Sequence, residues 1–475
     1  MRMLTFFMIV NAVFNVNSVS VSNKLNGFIQ HYETLDYDRS NIAPQHNRYR
    51  RSDSQDFVYL DFHSHGKTFH LKLWKDTSMF SHDVKFISND DDPLDISYLS
   101  HLYGGFLTDE PTSHVFGSIN DGIFEGKIYS KDGIFYIERS SKYQSLEKNT
   151  DGTVHSIIYR DDDVVDPYED QRSGHVPGCA VTEEFSQARW MNSAKHQVVN
   201  KSDSHIVGSS IDTSRFKFSH AQRSFGNSSA WHKYSQKANN SIKQRTKRSI
   251  YRRRLAGNDV QDVGSCAISI TIDPYMYKHF YKENSRNKFL AKMDIISLIA
   301  SHVSAASIIY QSTTFDGKYI HRFGSFEVGE INFIDFKTCE EGYIGQPSPY
   351  CKEYDAAGLL DLHSEYDHNA FCLAYVFTCR DFDGGVLGLA WVASQTNSGV
   401  GICARRKFGV FPKKPGIKGS LNTGIITFIN FQVRIAEKVT QVTFAHELGH
   451  NFGAPHDLPY ECKGNLIDGN YNQII

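Results

Sequence analysis

Ala445-His446-Glu447-Leu448-Gly449-His450-Asn451-Phe452-Gly453-Ala454-Pro455-His456-Asp457 is the stretch that decides how this chain folds. Residues four apart share one face of a helix, so His446 and His450 can direct two imidazoles at one ion. Gly453 permits a sharp turn that other residues resist, and this turn brings His456 round as a third ligand. Because three imidazoles leave a fourth position for water, the stretch predicts a catalytic zinc site.

Glu447 lies beside the open position of this site. A bound zinc ion lowers the pKa of its water to about 7, and Glu447 can take the proton while the metal polarises a peptide carbonyl. Two histidines and a glutamate on a helix, taken alone, are as often ordinary surface or core residues. The added Gly453 and His456 are much more specific, so these residues predict metal-assisted peptide hydrolysis.

Length and composition set broad limits. A chain of 475 residues is long enough for two or three domains, each with its own core. Hydrophobic content of 40% and charged content of 22% are typical of an ordinary soluble protein. The formal net charge of -2 provides no global attraction for nucleic acid or anionic membrane. Nucleic acid is therefore not expected as a partner, and partners must be recognised locally.

Residues 1–20 are predicted to be a cleaved secretory signal, because Arg2 precedes a short apolar run, Leu4–Val10. The run is too short to span a bilayer, and a buried N-terminal helix is the alternative. No later segment offers about 20 apolar residues, so the sequence as written predicts a secreted chain without a membrane anchor. Its eight cysteines should then form disulfides, and glycosylation sequons between residues 200 and 241 predict an exposed segment.

Residues 21–193 are predicted to be a β-rich domain. Phe57–His65 alternates between apolar and polar residues, and Phe69–Leu73 does so again, which favours a β-hairpin. His63 and His65 are predicted to point to the solvated face of this strand, opposite its apolar residues, and not to a metal. Further strand-like runs of the domain lie at 122–129, 133–138 and 154–159.

Cys179 lies in a loop flanked by glycine and proline, within Gly174–Ala180, where a thiol is accessible. A thiolate is a better zinc ligand than water, so Cys179 could occupy the fourth position of the zinc site and keep an enzyme latent. A structural disulfide is an equally good interpretation of its spacing. Both interpretations stay open at this point.

Residues 194–248 are polar, almost free of apolar periodicity and predicted to be a linker. The linker ends in a basic motif that contains Arg245, Lys247 and Arg248. This motif resembles the target of a secretory-pathway proprotein convertase, so we expect propeptide cleavage after Arg248. A solvated basic patch is the alternative, and Arg48–Arg51 is a weaker second candidate for cleavage.

Residues 249–475 are predicted to be an α/β domain with the zinc site in a cleft. Apolar residues between positions 289 and 310 recur at helical spacing and predict a long amphipathic helix. Strands are predicted at Cys266–Ile272, Glu330–Phe336 and Phe371–Thr378, and the zinc helix at Lys438–Phe452.

A further strand is predicted within Gly384–Trp391, at the border of the cleft. Its unpaired backbone groups can bind an extended substrate by strand addition. The residues expected to do so are Gly385, Val386, Leu387, Gly388 and Leu389. Because glycine weakens a strand, a merely irregular edge is the alternative.

Taken together, these segments resemble the ADAM metalloproteases, a family of the adamalysin branch of the metzincins, and within it the Kuzbanian-type (alpha-secretase) sheddases. The resemblance covers nearly the whole chain and implies a β-rich prodomain followed by a metzincin-type zinc protease domain. Besides the zinc stretch with its Asp457, it rests on these segments: Leu60–Gly66, Asp76–Ser81, Gly178–Ala180, Phe371–Thr378, Gly385–Val392 and Ser420–Thr427.

The resemblance also implies a function and a set of roles. Its members are type I membrane zymogens of the plasma membrane and Golgi, which a convertase cleaves and which then shed ectodomains of Notch-like receptors and other single-pass proteins. By position, His446, His450 and His456 would bind zinc, Glu447 would be the catalytic base and Cys179 the cysteine-switch ligand.

The cysteines divide into three groups under this resemblance. Cys266 and Cys372 match a disulfide pair of the family. Cys339 and Cys351 are near enough to close a local loop, which is a separate hypothesis, while Cys379 has no assigned partner. Cys403 and Cys462 would lack the downstream partners of the family, and would pair with each other or stay free.

The sequence departs from the family pattern after Tyr471, where Asn472–Ile475 follow instead of an Ile-Met turn that forms a floor beneath the zinc ligands. We expect zinc still to bind, because affinity comes mainly from the ligands and their supporting contacts. A looser site can lose on the order of 10²-fold in rate.

The leading interpretation is a zinc endopeptidase zymogen. The alternative is a catalytically impaired, truncated secreted isoform whose prodomain acts as an inhibitory or binding module.

Overall fold

The computed structural model describes residues 25–35, 37–42, 44–45, 57–90, 94–143, 154–168, 171, 179, 265–313, 324–393, 399–408, 410–411 and 416–456. A β-rich N-terminal region precedes an α/β region that begins at residue 265. This confirms the predicted fold class. The predicted signal at 1–20, the linker with its cleavage motif, and the segment from Asp457 onwards with Cys462 lie outside the described residues.

The N-terminal region is organised around one antiparallel sheet of eight strands, in the order β1-β9-β8-β7-β6-β5-β3-β2. Apolar residues on one face of its strands pack into a core that includes Leu60, Phe69 and Ile128. The strands of this region are β1 Glu33–Leu35, β2 Val58–Ser64, β3 Lys67–Lys75, β4 Phe80–Ser88, β5 Leu102–Leu107, β6 Glu110–Asn120, β7 Ile123–Ser130, β8 Gly133–Arg139 and β9 Ser156–Arg160.

The predicted hairpin is confirmed as β2 and β3, which pair in antiparallel register. His63 is exposed, as the alternation predicts. The prediction for His65 is wrong, because β2 ends at Ser64 and His65 lies in the turn with a φ of 49°. There its partly buried ring packs edge-on against Phe135, with the ring centroids 5.4 Å apart.

The two edge strands of this sheet, β1 and β2, come back into contact because the sheet curls. No backbone ladder joins them among the described residues. Side-chain bonds lie at the seam instead: Ser64 Oγ and the His65 backbone N–H each donate to Glu33 Oε2, both at 2.7 Å. The N-terminal sheet is therefore closed by polar side chains at this point.

The second region contains a mostly parallel sheet in the order β13-β16-β12-β10-β11-β4, in which β13 alone is antiparallel to its neighbour. β10 and β12 agree with the predicted strands. β11 starts four residues before its predicted position because its pairing with β10 begins at Phe326. The remaining strands are β10 Cys266–Ile272, β11 Phe326–Phe333, β12 Leu373–Thr378, β13 Gly388–Ala390, β14 Lys407–Phe408, β15 Lys418–Gly419, β16 Thr423–Thr427, β17 Ile429–Asn430 and β18 Val433–Arg434.

Strand β4 comes from the N-terminal region but completes the second sheet, where it runs parallel to β11. No sequence pattern of β4 predicts this exchange. Residues after β4 add a buried ion pair, in which Asp90 Oδ1 lies 2.9 Å from Lys292 Nζ and neither side chain is exposed. Tyr98, Leu99 and Phe116 also belong to the apolar core of the second region. The two regions thus share one packed core.

Four helices pack on the second sheet: α1 Pro274–Glu283, α2 Lys288–Ser312, α3 Ala356–Ser364 and α4 Glu437–Asn451. Asn287 caps the start of α2, where its side chain accepts from the Leu290 N–H. The predicted positions Met293, Ile296, Ala300 and Val303 are buried, whereas Phe289 is 41% exposed.

Among the described residues, α2 is also long and apolar enough to cross a membrane by length and composition alone, so the expectation that no segment after the signal offers about 20 apolar residues is wrong. Of its most apolar window, 67% is buried inside the protein, as in the core helix of a soluble protein.

The structure joins Cys266 to Cys372 and Cys339 to Cys351 as disulfides. The first links the start of β10 to the residue before β12, and the second closes the local loop that the spacing suggested. Within the described residues, Cys379 and Cys403 are free thiols, and Cys179 takes part in no disulfide.

Candidate metal centre

Helix α4 carries the first two histidines of the predicted site. It ends at Asn451, and the chain then reverses at Gly453, whose φ of 94° is closed to most side chains. The Gly453 N–H donates to the His450 carbonyl at 2.9 Å, which holds the reversal against the helix end. The turn carries the chain back over the helix face and brings His456 to His446 and His450.

The three imidazoles converge through their Nε2 atoms. His456 Nε2 lies 3.3 Å from His446 Nε2 and 3.0 Å from His450 Nε2. Cys179 Sγ lies 3.4 Å from His450 Nε2, and the four ligand atoms are all within 4.8 Å of one another. A tetrahedral zinc with Zn–N bonds of about 2.0–2.1 Å separates its nitrogen ligands by roughly 3.4 Å. The donor set and its spacing therefore fit a zinc ion.

Supporting contacts prepare these rings for a metal. His450 Nδ1 lies 2.8 Å from the Ala454 carbonyl, so Nδ1 carries the proton and Nε2 turns its lone pair to the cluster. Burial lowers the pKa of His450, and burial together with the neighbouring rings lowers the pKa of His446 to about 3. Both rings are neutral near pH 7, which is the form that binds a metal.

Glu447 is fully buried, and neither carboxylate oxygen has a hydrogen-bond partner among the described residues. Burial raises the pKa of Glu447 to about 8, against an opposing effect of the Cys179 side chain. A Cβ atom on Gly388 would lie 2.5 Å from Glu447 Oε1, so this glycine leaves the space that the carboxylate occupies. A buried carboxylate without a partner, beside a metal-ligand cluster, fits a proton acceptor for water.

Cys179 lies against the outer edge of β13. Its backbone forms a parallel bridge with Gly388, and its thiol is buried. Among the described residues it forms no disulfide, and its thiol lies in one cluster with the three histidines, so its role as a zinc ligand stays a prediction that this position supports. The N-terminal region thus places one residue directly in the cleft.

The predicted edge strand is shorter than expected. Gly384 and Gly385 have φ values of 69° and 75° and form a tight turn, so Gly385 and Val386 lie outside the strand. Leu387 also lies outside the strand, although its carbonyl accepts from the Thr427 N–H at 2.9 Å. Only Gly388 and Leu389 of the five predicted residues lie in β13. Two successive glycines in the left-handed region interrupt the strand, as the alternative allowed.

Several residues that hold α4 in place have no sequence signal of their own. Tyr310 Oη donates to the Ala445 carbonyl at 2.9 Å, directly before the first histidine. Tyr375 Oη donates to Asn451 Oδ1 at 2.6 Å, and Asn451 Nδ2 donates to the Trp391 carbonyl at 2.9 Å. Tyr310 closes the apolar pattern of α2, and this position could have indicated a packed residue with a polar tip.

Comparison with known proteins agrees with this geometry. Residues 264–473 match the model of metallo-peptidase family M12. The chain is 35% identical to the disintegrin and metalloproteinase domain-containing protein 10 homolog of Caenorhabditis elegans over 466 residues, which are 94% of this chain and 46% of that protein. It is 35% identical to disintegrin and metalloproteinase domain-containing protein 10 of Homo sapiens over 458 residues, 94% of this chain and 52% of that protein.

The chain therefore spans about half the length of the curated relatives that it matches. The match of residues 264–473 to metallo-peptidase family M12 implies a metal cofactor for this region. From the matched region, the near-complete coverage of this chain and the converging histidines, we conclude that residues 264–473 belong to metallo-peptidase family M12, in a chain that is similar to ADAM-type metalloproteases over 94% of its length.

Proposed function

We propose that this protein is a zinc-dependent metalloendopeptidase zymogen. The observation that carries the proposal is the convergence of three Nε2 atoms and the Cys179 thiol, with the unpartnered Glu447 carboxylate directly beside them. His446, His450 and His456 are the proposed zinc ligands. When bound, zinc supplies Lewis acidity that polarises a peptide carbonyl and makes water acidic enough to be deprotonated near neutral pH.

The residues around the metal ligands have the remaining roles, which are proton transfer and substrate binding. Glu447 accepts the proton of the attacking water and can return it to the leaving amine, because its buried carboxylate lies directly beside the proposed zinc ligands. Gly388 keeps the carboxylate in place by its lack of a side chain. The outer edge of β13, at Gly388 and Leu389, is the proposed site of backbone pairing with an extended substrate. The turn at Gly385 and Val386 borders this edge.

Latency follows from the position of Cys179. Its backbone pairs with the β13 edge and its thiol faces the three histidines, so it occupies the places proposed for the substrate and for water. We propose that residues 21–193 form an inhibitory prodomain and residues 249–475 the protease domain. Cleavage by a proprotein convertase at Arg245, Lys247 and Arg248, within the 194–248 linker, then frees the cleft.

The finer biological role rests on resemblance. The matched relatives are named as disintegrin and metalloproteinase proteins. On this basis we propose entry into the secretory pathway through the signal at 1–20 and substrates among the ectodomains of single-pass membrane proteins, including Notch-type receptors.

The test of catalysis compares the full chain, cut after Arg248 by an added convertase and supplied with zinc, with its Glu447→Ala variant. Loss of the general base should lower cleavage of a quenched peptide by about 10²–10⁴-fold. Thr443→Ala, one turn earlier on α4 and outside the cluster, should cleave at the wild-type rate. Equal rates for the wild type and Glu447→Ala would end the catalytic proposal.

The second candidate function is an inhibitory or binding module without catalysis. Its supporting observation is the depth at which the N-terminal region enters the protease sheet, through β4 and the buried Asp90–Lys292 pair. If the cut chain has no Glu447-dependent activity but inhibits a related active protease, this second function replaces the first.

A further inference from the structure

A second cluster of metal-ligating side chains lies in the N-terminal region. His31, Glu33 and His65 each offer one ligand atom, and these atoms all lie within 4.8 Å of one another. Glu33 is the first residue of strand β1 and His31 lies two residues before it, whereas His65 lies in the turn between β2 and β3. All three residues are partly buried. The cluster therefore bridges the seam at which the two edges of the sheet meet.

The hydrogen bonds around His65 leave one ring nitrogen open. Ser64 Oγ donates its only proton to Glu33 Oε2 at 2.7 Å. His65 Nδ1 lies 2.9 Å from the same Ser64 oxygen and must therefore carry the proton and donate it. The ring lone pair is then on Nε2, which is buried and has no hydrogen-bond partner among the described residues. A buried acceptor without a partner is costly and calls for a ligand.

Glu33 is oriented by the same contacts. Its Oε2 atom accepts from Ser64 Oγ and from the His65 backbone N–H, each at 2.7 Å. Its Oε1 atom accepts no hydrogen bond from the described residues and stays available. A carboxylate held in this way, beside an imidazole whose other nitrogen is already bonded, has the supporting contacts that metal ligands usually have.

We propose that His31, Glu33 and His65 form a second metal site, of the zinc type, which joins the two edge strands of the N-terminal sheet. Two imidazoles and one carboxylate are a donor set that zinc accepts, with water as the fourth ligand. Calcium and magnesium favour sites made of oxygen ligands, so this cluster discriminates against them.

The site would close the seam that the backbone leaves open. Among the described residues, β1 pairs only with β9, and β2 pairs only with β3. Unpaired edges weaken a sheet and invite wrong pairing, and closure removes them. An ion held by His31 and Glu33 on one side and by His65 on the other links these edges. Since it binds the folded region, zinc stabilises that region by mass action.

The experiment measures zinc per chain in the full-length protein by mass spectrometry, after removal of all metal and dialysis against zinc. We expect two zinc ions in the wild type and one in His65→Asn, where asparagine tolerates the φ of 49°. His31→Ala should also hold one, and it leaves the bonds among Ser64, Glu33 and His65 intact. His63→Ala is the matched control on the same hairpin and should hold two.

A His450→Ala chain separates this site from the proposed protease site. It should retain one zinc, and the same variant freed of metal should bind added Co²⁺ with a visible absorption band that is absent in the metal-free His450→Ala, His31→Ala double variant. We call the site formed by His31, Glu33 and His65 the seam site. If the wild type holds one zinc, and His31→Ala loses it while His450→Ala keeps it, the seam site is supported and the proposed protease zinc is contradicted. Equal zinc content in the wild type, His31→Ala and His65→Asn would overturn the seam site.

Discussion

The N-terminal region contacts the protease sheet at both of its outer edges, and the two contacts differ in kind. At the β13 edge, Cys179 contributes one backbone bridge and one thiol that faces three imidazoles. At the other edge, five residues of the nine-residue strand β4 pair with β11, and the Asp90–Lys292 ion pair is buried beside them. The first contact can block chemistry with very little surface, whereas the second buries a large area without touching the site.

This difference indicates that the contact at the β13 edge inhibits the site, whereas the contact at the β11 edge holds the two regions together. Blocking a metal site requires one ligand in the right place. Holding two regions together requires a buried apolar area and fully paired polar groups. We therefore expect substitutions at the β11 edge to change stability, and substitutions at the β13 edge to change catalysis and latency.

The largest effect should come from Asp90→Ala, which removes the carboxylate that lies 2.9 Å from the buried Lys292 ammonium. Breaking a buried ion pair costs about 3–5 kcal/mol, and we expect a loss of that size in the unfolding free energy of the full chain in urea. Asp132→Ala is the matched control, because its pair with Lys67 at 2.7 Å is partly exposed. Such a pair contributes about 1 kcal/mol or less. Equal losses in the two variants would contradict a structural role for the β11 edge.

Gly388→Ala should reduce catalysis by on the order of 10²-fold. The added Cβ would lie 2.5 Å from Glu447 Oε1, and a displacement of about 1 Å at a reacting group has an effect of this size. Peptide cleavage by the convertase-cut chain measures it, while metal analysis should show unchanged zinc. Gly416→Ala, with no atom within 4 Å of its added Cβ, should retain full activity. A zinc loss in Gly388→Ala would shift the explanation from the base to the ligands.

Cys179→Ala should make the uncut chain active while changing its unfolding free energy by only about 1 kcal/mol, since a single small side chain is removed. The measurement compares peptide cleavage by the uncut variant and the uncut wild type. Cys379→Ala, at a free thiol that is absent from the metal cluster, should stay latent. A latent Cys179→Ala chain would show that the backbone contact with Gly388, and not the thiol, blocks the cleft.

The smallest effect should be a pH dependence at the β11 edge. Burial raises the pKa of Asp90, but hydrogen bonds from Lys292 and Tyr277 outweigh it and hold the pKa well below its usual range. Since the unfolded value is about 3.9, the stabilisation is complete above that pH and is lost as pH falls towards the folded value. Between pH 5 and pH 3, the midpoint temperature of thermal unfolding should therefore depend less steeply on pH in Asp90→Asn than in the wild type. If the midpoint temperature falls equally steeply with pH in both proteins, Asp90 is not the source of this pH dependence.

Prediction from sequence succeeded where structure is set by near neighbours along the chain. β10 occupies the predicted Cys266–Ile272, and α4 agrees with the predicted zinc helix to within one residue at each end. Both follow from short periodicities that the backbone imposes. The errors lie where backbone conformation or pairing depends on distant residues. Gly384 and Gly385 shorten β13, and His65 leaves the solvated face for a turn against Phe135.

The sequence by itself determined the donor set of the candidate zinc site, because His446, His450 and His456 are brought together by a helix turn and one glycine. Only the tertiary structure decided that β4 joins the protease sheet and that His31 and Glu33 meet His65 across the seam of the N-terminal sheet. The physical reason is the range of the interactions. Helical spacing is a local property of the backbone, whereas strand exchange and sheet closure depend on the packing of the whole chain.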